Sequence, residues 1–370
     1  MRAYLLIALI AAGVTFAATW FVLKLAHKYK IYPAIRSRDV HKVPTPRLGG
    51  AAMALGFAVS VGVAASLGWF HSVFVDPSKI VTILICAVLI SALGFLDDLY
   101  DLDWTLKLAG QFLVAGLLAW QGVQIVSLPI AGITIGSFGT SLFVTVFLTV
   151  LVMNAVNFID GLDGLVAGVV LIGTLVFFAY SYLLTQQTSP TNYFNIATLL
   201  SAIVIGVCAG FLPWNWHKAK IFMGDGGALL LGLLMSASAL TVTGQIDPQI
   251  VTNANAVPAF LPLILPLAIL VLPLLDFALA IVRRLKAGKS PFSADRKHIH
   301  HRLQDFGHSH LGSVLVFYSW TALISVTVLL YFFVTPAEIA WFFWPGLIAA
   351  SVYTVWPVVK HPALKGNNRG

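Results

Sequence analysis

The chain has 370 residues, 59% of them hydrophobic and only 10% charged, with a mean hydropathy of +0.91. A soluble domain carries about 25% charged residues, so a water-soluble enzyme, a disordered chain and a nucleic-acid-binding protein are all excluded. The net charge of +8 is therefore read as membrane topology.

A helix needs about 20 mostly apolar residues to cross a bilayer, and helix is the state that satisfies its own backbone there. Along the chain such runs fall at roughly 3–23, 48–70, 79–96, 106–126, 137–157, 164–184, 195–213, 226–243, 258–282, 311–334 and 337–359. The expected fold is an all-α polytopic membrane protein of about eleven transmembrane helices, one integral-membrane domain over 1–370. The first run is followed by its positive charges, Lys24, Lys28 and Lys30, rather than preceded by them, and it is too long for a cleaved signal. It is expected to stay as a span with the N-terminus outside. That choice puts every Lys and Arg except Arg2 and Lys79 on one side, which the positive-inside rule makes cytoplasmic, together with the C-terminus. Residues 123–136 alternate as V-Q-I-V-S-L-P-I-A-G-I-T-I-G and are expected to form a small external β-hairpin. The tail after Lys360 is expected to fray. Cys86 and Cys208 lie inside apolar runs and are read as buried hydrophobes, not as a disulfide or metal site.

Carboxylates at membrane depth are costly and usually mark function. G-F-L-D-D-L-Y-D-L-D closes the third run, with Asp97 and Asp98 adjacent, so they need a cation or a shared proton; Lys107 lies nearby. N-A-V-N-F-I-D-G-L-D-G places Asn154, Asn157, Asp160 and Asp163 at intervals of three, a polar ridge if the helix continues. In F-M-G-D-G-G-A, Asp225 sits where an N-cap belongs and offers a hard oxygen to Mg²⁺. D-R-K-H-I-H-H-R-L brings His298, His300, His301 and Arg302 into a basic loop without the Cys or Glu that would complete a zinc-like set; a cationic surface for phosphate fits better. Asp276 lies about two turns inside the ninth run with Arg283 at i+7, and either a pairing or a site role stays open. His27, His71, His217 and His308 read as single interfacial residues.

Hard oxygen ligands imply Mg²⁺, with Mn²⁺ able to substitute. Beside cationic side chains at a lipid boundary they imply phosphoryl-type transfer between a cytosolic substrate and a membrane lipid.

The ordered motifs P-T-P-R-L-G-G, G-F-L-D-D, N-F-I-D-G-L-D-G, F-M-G-D-G-G and H-I-H-H-R-L, spanning about 44–303, resemble those of the polyprenyl-phosphate N-acetylhexosamine-1-phosphate transferases, in the branch of WecA and TagO. The resemblance implies transfer of a sugar-1-phosphate, most often from UDP-GlcNAc, to undecaprenyl phosphate at the cytoplasmic face of a bacterial cell membrane, releasing UMP and starting an envelope glycan. It also implies roles. Asp97 and Asp98 match the paired acids, and Asp160 and Asp163 match acids shaping the nucleotide and metal site. Asp225 matches the Mg²⁺-binding acid, with Asn157 as companion. Lys107 matches a lysine facing phosphate, Asn154 falls with the substrate-binding residues, and His298, His300, His301 and Arg302 match the loop holding diphosphate or sugar. The muramoyl-pentapeptide transferases are the alternative within the superfamily, but carry an H-H-H-x-E loop. An ion-coupled transporter would hold its acids at mid-membrane, and a CDP-alcohol phosphotransferase needs an Arg that D-G-L-V-A-G lacks. The donor sugar, the downstream glycan and homodimerisation are left open.

Overall fold

The computed structural model describes residues 1–32, 45–125, 137–188, 194–243, 264–265, 267–286, 288, 299–331 and 333–360. Within them the chain is helical: α1 (Arg2–Tyr29), α2 (Gly49–Ser66), α3 (Ser78–Tyr100), α4 (Trp104–Trp120), α5 (Phe138–Phe158), α6 (Leu165–Thr188), α7 (Ile196–Asn215), α8 (Gly224–Thr243), α9 (Val271–Lys286), α10 (Ile299–Asp305), α11 (His310–Leu330) and α12 (Pro336–Lys360). A short helical step over Gly68–Phe74 joins α2 to α3 and is left unnumbered.

Among the described residues nine helices are long and apolar enough to cross a membrane: α1, α2, α3, α5, α6, α7, α8, α11 and α12. They coincide with nine of the eleven expected runs. The fourth run becomes α4, apolar but only 17 residues long. The ninth is described in part, as α9 and a short stretch before it. The expected hairpin falls mostly on 126–136, and the expected tail on 361–370, both outside the described residues.

Lipid gives no hydrophobic drive between helices, so close backbone approach through small residues holds them together. Gly206 and Gly210 on α7 show this: a Cβ on either would lie 2.2 Å from the carbonyl oxygen of Ala8 or Ala12 on α1. The same device surrounds α8. A Cβ on Gly94 of α3 would lie 2.3 Å from the Gly226 nitrogen, and one on Gly50 of α2 would lie 2.3 Å from the Gly227 nitrogen. Helix α8 is accordingly the most enclosed span, 94% buried over its apolar window, whereas α12 is only 6% buried and leans on α11. The helix bearing F-M-G-D-G-G therefore stands at the centre of the bundle. Cys86 and Cys208 are free and buried, as expected.

Candidate active site

Two tight turns build the acid cluster. Helix α3 ends at Asp101, which adopts left-handed φ 53° and donates its N–H to the Asp97 carbonyl at 2.8 Å. Asp103 then caps α4, accepting from the Thr105 N–H at 2.9 Å. The chain reverses over so few residues that Lys107, in the first turns of α4, returns over the end of α3. Its Nζ lies 3.0 Å from Asp97 Oδ2 and also contacts Asp225 Oδ2 on α8. Residues from three helices so converge on one positive charge.

Asp98 has a different task. Its carboxylate accepts from the backbone N–H groups of Asp225 (3.3 Å) and Gly226 (3.4 Å), so α8 is capped by α3 rather than by its own chain. Asp225 is consequently not the expected N-cap: it lies inside the first turn of α8, behind Gly224 at φ 65°. A Cβ on Gly224 would sit 2.2 Å from Asp98 Oδ2 and 2.5 Å from the Arg47 carbonyl oxygen, which is why glycine stands there. Segment P-T-P-R-L-G-G closes the other side. Phe222 N–H donates to the Pro46 carbonyl (2.9 Å), while Gly49 and Gly50 donate to the carbonyls of Phe222 (2.9 Å) and Met223 (2.8 Å).

The expected polar ridge breaks after α5, which stops at Phe158. Asn154 and Asn157 ride on the helix, whereas Asp160 and Asp163 lie in the turn before α6. Asn154 belongs to helix packing: its amide donates to Gln111 on α4 and to the Val150 carbonyl (2.8 Å). Burial first, then the negative charge of Asp98, push the Asp160 carboxyl up to about 7, with Arg47 opposing the shift and Asp163 adding to it. Asp98, Arg47, Asp160 and Asp163 thus share one electrostatic neighbourhood. Asp163 is buried, and its Oδ2 meets His217 Nδ1 at 3.0 Å and accepts the Ala219 N–H at 3.2 Å, while its own N–H donates to His310 Nε2 at 3.3 Å. The His217 and His310 rings stack with centroids 4.4 Å apart. Gly164, at φ 75°, donates to Asn215 Oδ1 (3.0 Å) and accepts from the Tyr318 hydroxyl (2.6 Å). The ends of α7 and α11 therefore clamp the D-G-L-D-G turn from both sides.

Two donor sets on these residues suit a metal. Asp97 and Asp225 already gather hard oxygens around a cation, the chemistry Mg²⁺ takes. Asn157, on α5, has its Nδ2 buried with no hydrogen-bond partner among the described residues; that atom is an N–H donor and suits an acceptor oxygen of a ligand, leaving Oδ1 as the atom a metal would take. Asp163, His217 and His310 present ligand atoms within 4.8 Å of one another, but their oxygen and nitrogens are already knit by the hydrogen bonds above.

Of the expected site residues, Asp97, Asp98, Lys107 and Asp225 meet directly, and Asp160 and Asp163 join them electrostatically. His298 lies outside the described residues. His300, His301 and Arg302 ride on α10, with Arg302 exposed and its guanidinium carbon 5.9 Å from the Phe306 ring centroid. Arg47, Asn215, His217, His310 and Tyr318 were missed. Arg47 stood in view inside P-T-P-R-L-G-G. His217 is corrected from a single interfacial residue to a partner of Asp163, and His308 likewise bonds the Thr354 carbonyl (2.9 Å), tying α11 to α12. No local pattern marks such long-range partners.

Acids on α3 and α8, a lysine on α4 bridging them and a clamped acidic turn define a polytopic transferase site, and residues 80–243 match the glycosyl transferase family 4 model. The chain belongs to that family. It is 37% identical over 364 residues to the decaprenyl-phosphate N-acetylglucosaminephosphotransferase of Mycolicibacterium smegmatis, covering 97% of this chain and 90% of the relative. It is 35% identical to a probable undecaprenyl-phosphate N-acetylglucosaminyl 1-phosphate transferase of Bacillus subtilis, over 84% of this chain and 80% of the relative. Likeness to the phospho-N-acetylmuramoyl-pentapeptide-transferase of Desulforudis audaxviator is lower, 30%, over 87% of this chain and 96% of that protein.

Proposed function

We propose that the chain transfers N-acetylglucosamine-1-phosphate from UDP-GlcNAc to a polyprenyl phosphate at the cytoplasmic face of a bacterial membrane, releasing UMP. The observation that carries this reading is the convergence of Asp97, Lys107 and Asp225 at one end of the bundle, beside the Asp160–Asp163 turn. The names of the relatives point to the same chemistry. In the reaction a phosphate oxygen of the lipid forms a new bond to the sugar-linked phosphorus of the donor, and the phosphoanhydride bond to UMP breaks. One anhydride replaces another, so the exchange is near balance. The attacking phosphate has a second pKa near 6 and is largely dianionic at neutral pH. It needs no strong base, and the demand on the protein is to screen charge and align the partners.

Mg²⁺ is proposed as the cofactor, held by Asp225 and Asp97 with Asn157 alongside; when bound it would supply charge neutralisation to the diphosphate. Lys107 holds the two acids together and offers a positive charge to phosphate. Asp98 keeps α8 in place through its first N–H groups. The Asp160–Asp163 turn, fixed by His217, His310, Asn215 and Tyr318, shapes the nucleotide end, and α10 brings His300, His301 and Arg302 to the diphosphate. The cytoplasmic placement rests on the distribution of Lys and Arg.

Purified protein in detergent, given a polyprenyl phosphate, Mg²⁺ and a panel of UDP-sugars, should form UMP and a lipid-linked product with the mass of a GlcNAc-diphosphate, with UDP-GlcNAc preferred. UMP release that does not depend on the lipid, or no lipid-linked product with any donor, would overturn the proposal.

A further inference from the structure

Helix α9 carries a carboxylate that the reaction above does not use. Asp276 is 0% exposed, and its Oδ1 accepts the N–H of Ile299 at 3.0 Å. Ile299 is the first residue of α10, the short helix bearing His300, His301 and Arg302. Helix N-termini leave N–H groups that need acceptors, and these normally come from the residue just before the helix. Here the acceptor comes from 23 residues upstream, on another helix. Burying a carboxylate is expensive unless it is hydrogen-bonded, so the bond ties α10 to α9 at one defined point. Toward its other end α9 meets the end of α5, just before the acidic turn: the Arg284 guanidinium carbon lies 5.9 Å from the ring centroid of Phe158, the residue after Asn157. Leu303 of α10 is buried, and α10 leads directly into α11, which supplies His310 and Tyr318 to the same turn. Helix α9 is thus a strut between the His/Arg helix and the N-F-I-D-G segment.

We propose that Asp276 is a positioning residue: by capping α10 from α9, its buried carboxylate sets where the helix carrying His300, His301 and Arg302 stands relative to Asp97 and Asp225. The inference rests on the reading of α10 as the diphosphate-holding element. The predicted effect of Asp276 on turnover runs through its bond to the first residue of α10. A carbonyl oxygen at the same place should replace it, whereas the same charge one methylene further out should not.

The test compares Asp276→Asn, Asp276→Glu and Asp276→Ala with His301→Ala and the double variants, in folded, purified, full-length protein. Asp276→Asn should stay within about threefold of wild-type kcat/KM, because an acceptor oxygen remains. Asp276→Glu and Asp276→Ala should lose roughly 10–100-fold, the scale of a misplacement of about 1 Å. Added to His301→Ala, Asp276→Glu should cost little more, because both act through one element. If Asp276→Ala does not accumulate, Asp276→Glu carries the comparison. Near-normal turnover of Asp276→Glu, or losses that multiply in the double variant, would overturn the positioning role. Wild-type kinetics of His301→Ala would instead overturn the reading of α10.

Discussion

Gly224→Ala isolates the geometry on which the site depends. It adds one methyl group and changes no charge. Two costs follow from the structure. At φ 65° an L-residue meets its own carbonyl, costing roughly 1–2 kcal/mol. The new Cβ would also stand 2.2 Å from Asp98 Oδ2 and 2.5 Å from the Arg47 carbonyl oxygen, where ordinary contact begins near 3.4 Å. Something must therefore move by about 1 Å, and both neighbours belong to the site: Asp98 caps α8, and Arg47 lies in the segment paired with Phe222 and Met223. A shift of that size in a catalytic constellation costs on the order of 100-fold in rate. The assay is lipid-linked product formation by mass, beside thermal unfolding of the same detergent-solubilised sample. Gly62→Ala on α2 is the control, because a Cβ there meets nothing within 4 Å. We expect Gly224→Ala to lose about two orders of magnitude in turnover while Gly62→Ala stays near wild type. Turnover of Gly224→Ala within a few-fold of wild type would show that the packing of Asp98 against Gly224 does not govern the site.

Asp225→Asn should cost roughly 100–1,000-fold in kcat and abolish saturation by Mg²⁺, whereas Asp98→Asn, which keeps one acceptor oxygen for the α8 N–H groups, should cost about tenfold; kcat measured across Mg²⁺ concentrations checks the order. Folded Asp160 holds its proton up to about 7 instead of 3.8, so the folded state binds more protons between those values and stability falls as pH rises through them. In metal-free buffer the melting temperature of wild type should therefore drop relative to Asp160→Asn across that window and level off above it, and a gap that ignores pH would refute the assignment. Gly210→Val should lower the melting temperature by an amount equivalent to about 1–3 kcal/mol, since its Cβ meets the Ala12 carbonyl, while Gly13→Val should not.

Apolar run length made the spans legible, because the bilayer imposes one secondary structure and a minimum length. Nine of the expected runs stand as long helices. Acid placement made half of the site legible, since Asp97, Asp98 and Asp225 sit where apolar runs end. Four features were not readable. The spacing of Asn154, Asn157, Asp160 and Asp163 suggested one continuous helix, yet α5 ends at Phe158 and Gly164 adopts positive φ. Asp225 looked like a cap because its own neighbours are glycines, but the cap comes from Asp98, 127 residues away. His217 and His310 carry no local signal, since their partner Asp163 is distant in sequence and sequence periodicity reports only on neighbours along one element. The bond that Asp276 accepts from Ile299 is illegible for the same reason, because the two residues stand 23 apart on different helices.

The pairing of Pro46–Gly50 with Phe222–Met223 also bears on biogenesis. A chain still emerging from the ribosome cannot assemble its acidic pocket until α8 has been inserted, because the strip that seats α8 waits near the beginning of the polypeptide and its counterpart arrives more than 170 residues later. Truncated insertion products ending before α8 should thus be inert toward nucleotide sugars.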